Sequence, residues 1–134
     1  MNDIADIMPP DAMPMMLLEA ERELARRHAR SSALPASYFD EGPWEILLGL
    51  FVAFAKDRSL SVTDATHGTT VSSTTALRCI SLLEKDGLVY RLEDKRDKRR
   101  TNLALSASGL RKCALALRAM SEAEKKFRKA ALSA

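Results

Sequence analysis

Residues 72–105 read SSTTALRCISLLEKDGLVYRLEDKRDKRRTNLAL, and the changes of period along this stretch decide the fold. Ser72 offers a hydroxyl oxygen to the unpaired amides at a helix start. Behind it Ala76, Ile80 and Leu83 recur at spacings of four and three, which predicts a helix over 73–86 that Gly87 ends. The next run, Leu88-Val89-Tyr90-Arg91-Leu92, is branched and aromatic enough for a strand. Thr101-Asn102-Leu103-Ala104-Leu105 resumes an alternating pattern after the charged loop 93–100, so the two runs predict a hairpin.

Just upstream, Leu60-Ser61-Val62 is a short extended piece, and Thr63 to His67 makes a helix of about one turn before Gly68 stops it. Short helix, turn, longer helix, strand, charged loop, strand is the order of a winged helix-turn-helix. Before it, Asp40-Glu41-Gly42-Pro43 is a start signal, an Asp cap followed by a proline that the first helical turn tolerates. The helix that follows runs to about Lys56. Its apolar residues Trp44, Leu47, Leu48, Phe51, Phe54 and Ala55 predict the centre of the core.

Two amphipathic helices frame this unit. Met15 to Ala33 carries Leu17, Ala20, Leu24 and His28 at helical spacing among charged residues, and Ala107 to Ala131, capped by Ser106, carries Leu110, Ala114, Leu117 and Met120. Residues 1–14 hold three prolines and no sustained period, which predicts a flexible arm. The expected architecture is mainly α with a small β-hairpin (α+β). It is one domain over 15–134, with a DNA-binding core at 40–106 between the terminal helices 15–33 and 107–131.

A chain of 134 residues with 46% hydrophobic and 29% charged composition suits one globular domain. No apolar run approaches the ~20 residues of a membrane span, and Met1-Asn2-Asp3-Ile4-Ala5-Asp6 lacks the basic start of a secretory signal, so a cytoplasmic location is expected without membrane partners. Cys79 and Cys113 form no CxxC pair, and His28 and His67 sit at no metal-ligand spacing from them. The thiols read as packing groups, with a redox-sensing role as the alternative, and no metal or cofactor is expected. There is no Gly-rich phosphate loop, no GxSxG and no histidine with a partner, which argues against an enzyme.

A net charge of +3 does not by itself argue for nucleic acid, so its placement decides. With Ala76, Ile80 and Leu83 turned inward, Ser73, Thr74, Leu77, Arg78 and Ser81 point out, because neighbouring residues are rotated by about 100°. Small hydroxyls at the front of a helix let its backbone approach a major groove, and a long cation reads base edges there. Ser72, Ser73, Thr74, Thr75 and Arg78 are therefore the candidate groove contacts. From Arg91 to Arg100 six cations stand against three carboxylates. Lys95, Arg96, Lys98 and Arg99 are the candidate contacts to phosphates or the minor groove, while Asp94 and Asp97 hold the loop's shape by local ion pairs. The expected partners are double-stranded DNA and a second copy of the chain. Narrow apolar stripes on the terminal helices put Leu17, Leu24, Leu117 and Met120 at that interface. The rival reading is a winged helix that binds another protein, and no small-molecule effector is legible in either case.

Residues 40–110 resemble the MarR family of winged-helix transcriptional regulators. The likeness rests on Trp44-Glu45-Ile46-Leu47-Leu48, on Leu83-Glu84-Lys85-Asp86-Gly87-Leu88-Val89, and above all on Asp94-Lys95-Arg96-Asp97-Lys98-Arg99, which is similar to the family's DxRxxR wing. The resemblance implies a dimer built from Met15 to Ala33 and Ala107 to Ala131 on a pseudo-palindromic site. It also implies Asp94, Arg96 and Arg99 as wing residues and Arg78 as a recognition-helix contact. The family's Leu-Thr before the last helix is here Leu105-Ser106, and no phenol-binding or peroxide-sensing signature carries over.

Overall fold

The computed structural model describes residues 8–35, 38–39 and 41–133. Helix α1 (Met13–Ser31) is followed by α2 (Gly42–Ala55), strand β1 (Leu60–Ser61), α3 (Val62–His67), α4 (Ser73–Lys85), β2 (Val89–Glu93), β3 (Thr101–Leu105) and α5 (Ala107–Ser133). The winged helix-turn-helix order and the mainly helical class are as the sequence predicts.

Helix α2 is the partition wall of the molecule. Ile46 and Leu50 pack with Ala65, Ala76, Ile80, Leu83, Val89 and Leu103, joining α3, α4 and the sheet. Leu48 and Phe51 pack on the other side with Met16 and Ala20 of α1 and with Cys113, Ala114 and Leu117 of α5. Serving two cores is why α2 is apolar all round, where the sequence reading took Trp44, Leu47, Leu48, Phe51, Phe54 and Ala55 as one wide apolar face. Phe54, expected inside, is 47% exposed, while Ile46, Leu50 and Ala53 are buried in its place. Its expected cap Asp40 lies outside the described residues, and the cap position Glu41 makes no side-chain cap bond. Instead the Glu41 carboxylate takes both Arg27 and Arg30 of α1. Arg27, 4% exposed, is buried on the inner side of α1 and also meets Glu23 at 3.0 Å, whereas His28, expected on the apolar stripe, is exposed. A charged residue is buried there because Glu23 on the same helix and Glu41 at the start of α2 supply its counterions.

The flexible arm expected through residue 14 needs a shorter boundary. Helix α1 starts at Met13 with Pro14 in its first turn, and Met8, Ala12 and Met13 pack against the α1–α2–α5 core. Residues 1–7 lie outside the described residues.

The hairpin β2–β3 pairs Val89 with Leu105 and Arg91 with Leu103. It is extended by β1, which pairs Leu60 with Leu103 and Ser61 with Asn102, so the sheet is three-stranded and antiparallel with β3 in the middle. Gly87 adopts φ +74°, the left-handed conformation that lets α4 stop and turn into β2. Ser106 then caps α5 by accepting from the Gly109 amide at 3.0 Å, and donates its hydroxyl to the Gly87 carbonyl at 2.6 Å. Gly109 is required by contact, since a Cβ there would lie 2.0 Å from the Leu88 carbonyl oxygen. The start of α5 thus rests directly on the backbone that leaves α4.

Candidate nucleic-acid interface

Helix α4 presents what its sequence implies. Ala76, Cys79, Ile80 and Leu83 are buried, and Ser72, Ser73, Thr74, Thr75, Leu77, Arg78 and Ser81 are exposed. Ser72 accepts from the Thr75 amide at 3.2 Å and donates to Thr75 Oγ1 at 3.0 Å, so these two hydroxyls hold the helix start in shape. Ser73, Thr74 and Arg78 remain as outward polar groups beyond it.

The turn leading into α4 is held by a residue to which the sequence reading assigned no role. Glu45 of α2, only 3% exposed, accepts from the Thr70 hydroxyl at 2.7 and 3.0 Å and from the Thr70 amide at 3.1 Å. Thr69 closes the same turn by donating its hydroxyl to the Thr66 carbonyl at 2.9 Å. Close approach of α2 to α4 is possible because position 42 is glycine, where a Cβ would stand 2.8 Å from Cys79 Sγ. The signal for Glu45 was a carboxylate inside an otherwise apolar helix, but its partner lies 25 residues away.

In the wing, Asp94 accepts from the backbone amides of Arg96 and Asp97 at 2.8 and 3.0 Å and from Asn102 Nδ2 at 3.1 Å. These donors hold its carboxyl below the usual carboxylate range. Asp97 is likewise lowered, chiefly by the Arg99 guanidinium, whose Nε lies 3.1 Å away, and by the Arg99 amide at 3.0 Å. Asp97 thus forms a local ion pair with Arg99, whereas Asp94 holds the loop mainly through backbone amides and Asn102 and less through the ion pair expected of it. Arg100, although part of the basic run, is turned back to Asp64 of α3 at 3.2 Å, and Arg91 of β2 pairs with Glu84 of α4 at 3.0 Å. Both ion pairs fasten the wing to the helices. Lys95, Arg96 and Lys98 are exposed and enter no ion pair among the described residues, and the Arg99 side chain is 90% exposed. The candidate wing cations thus project from a loop that is already ordered.

The terminal helices require one correction. Leu117 was expected at a subunit interface, but it is 0% exposed inside the chain's own core against Phe51, Cys113 and Ala114, and has no surface to give a partner. Leu17 is half-buried, and Leu24 and Met120 are partly buried against that core. The exposed large apolar groups of α1 and α5 are instead Leu18, Leu115, Phe127 and Leu132. Both cysteines are buried, and burial pushes the Cys113 thiol up to about 12. Among the described residues no group of three His, Cys, Asp or Glu side chains is placed to hold a metal ion. None of the described helices is long and apolar enough to cross a membrane.

No protein-family model and no curated protein matches the sequence. Solved structures do match the fold. A mutant of MepR from S. aureus bound to an oligodeoxyribonucleotide aligns over 87% of this chain and 78% of its own, with TM-score 0.54 and 20% identity. A mutant of ZitR from Lactococcus lactis aligns over 70% of this chain with TM-score 0.58 and 10% identity, and this chain spans 61% of that one. The adhesin competence repressor AdcR from Streptococcus pyogenes aligns over 69% of this chain and 64% of its own, with TM-score 0.52 and 16% identity. The fold is that of MarR-type winged-helix regulators. The resemblance read from the wing motif thus holds at the level of the fold.

Proposed function

We propose that this chain is a cytoplasmic regulator of transcription that binds duplex DNA sequence-specifically as a homodimer. In this reading α4 enters the major groove and the wing meets phosphates or the minor groove. The observation that carries it is the pairing of an exposed, hydroxyl-rich helix front bearing Arg78 with an ordered wing whose Lys95, Arg96, Lys98 and Arg99 point into solvent. A similar MepR structure holds an oligodeoxyribonucleotide, which supports the same use of the fold here. The groups offered are those of a binding protein: donors for base edges and cations for phosphates. Dimerisation through α1 and α5 would set two α4 helices roughly 34 Å apart, one turn of DNA. Leu17, Leu24 and Met120, with the exposed Leu18, Leu115 and Phe127, are the residues we assign to that contact.

The test is the binding of the whole chain to fluorescent duplexes selected from a random pool, followed against salt. Specific binding should weaken steeply with salt, and Arg78→Ala should cost about 1–3 kcal/mol at the selected site with unchanged melting. Indifference to every duplex would overturn the proposal in favour of a protein-binding winged helix.

A further inference from the structure

Leu77 is an apolar residue on the reading helix that neither core uses. It is 45% exposed and absent from both hydrophobic clusters, while its helix neighbours at positions 73, 74 and 81 are Ser73, Thr74 and Ser81, all exposed and too short to cover it. Leu82 is also exposed, at 50%, but it lies in the last turns of α4 and about 140° round the helix from Leu77. Leu77 is therefore the apolar group in the N-terminal half, beside Arg78, where a helix lying in the groove brings its side chains to base edges. The major groove offers one apolar feature, the C5-methyl group of thymine. Hydroxyls and a guanidinium fit its donors and acceptors, whereas an exposed leucine among them matches only the methyl.

We propose that Leu77 is a specificity-determining residue that contacts a thymine methyl in each half-site, next to the guanine for which the Arg78 fork is suited. This rests on the DNA-binding reading above and adds to it the chemistry of one base.

The experiment removes the methyl from the DNA and leaves the protein fold untouched. The duplex that the wild-type chain selects from a random pool is resynthesised with each thymine in turn replaced by deoxyuridine, and affinities are compared. One thymine per half-site should show a loss of roughly three- to tenfold, the scale of one buried methyl in a well-fitted contact. Leu77→Ala, which leaves both cores intact, should melt normally and bind the thymine and deoxyuridine duplexes alike. If every deoxyuridine is neutral for the wild type, or if Leu77→Ala keeps the same discrimination, the Leu77 assignment falls while DNA binding stands. If no duplex is selected at all, both fall together.

Discussion

Replacing Glu45 tests whether a buried carboxylate in the core helix sets the geometry of the reading helix. The side chain is 3% exposed and accepts three contacts from Thr70, at 2.7, 3.0 and 3.1 Å. A hydrogen bond to an ionised group contributes about 1.5–3 kcal/mol, and Thr70 supplies two donors. Thr70 is half-buried, so water reaches part of what Glu45 leaves behind, and relief from burying a charge offsets some of the loss. Glu45→Ala should therefore cost about 2–4 kcal/mol. Glu45→Gln retains one carbonyl acceptor and should cost about 1–2 kcal/mol. Urea unfolding gives these values, and the cycle with Thr70→Val isolates the pair, where a coupling of about 1–3 kcal/mol is expected. Amide exchange at Thr70 should accelerate in Glu45→Ala, and specific DNA affinity should fall further than the affinity for random duplex. A loss below about 0.5 kcal/mol, or additive single and double variants, would refute the clamp.

Three further outcomes check the site and the assembly. Changing Arg96 and Lys98 together to Ala should weaken binding to all sequences and flatten the slope of log affinity against log salt by up to about two units, and an unchanged slope would make the wing a solvated turn. Because the donors around Asp94 lower its folded-state pKa, its contribution to wing order is complete above the ordinary aspartate range and is lost as pH falls through the lowered value. The Arg96 and Asp97 amide resonances should titrate with a midpoint below that of an ordinary aspartate, and a midpoint at or above it would contradict the hydrogen bonding described. Leu117→Glu should unfold the chain, since a charge placed at a fully buried core position costs on the order of 4 kcal/mol or more, whereas Phe127→Glu, at a residue 78% exposed, should leave melting intact and shift sedimentation towards a single chain. A folded Leu117→Glu protein would show that the core has been misread.

Part of the candidate site was legible because its rules are local. The Ser72 and Ser106 caps, the Gly87 stop, the inward Ala76, Ile80 and Leu83, and the aspartates that shape the wing all act within a few residues of chain. The Glu45 clamp, the Arg100–Asp64 tie and the β1–β3 pairing join residues far apart in sequence, and no periodicity reports them. Leu117 shows the same limit on the terminal helices: its stripe was visible, but whether that stripe met this chain or another was not.

By itself, then, the sequence determined where helices start and stop, which face of α4 turns inward and how the wing loop is built, because capping, period and short-range ion pairing are properties of neighbouring residues. Only the tertiary structure decided which apolar stripes are used up inside the chain and which charges are tied. It did so by making α2 the wall between two cores and burying Leu117 and Arg27 against elements whose position no local pattern encodes.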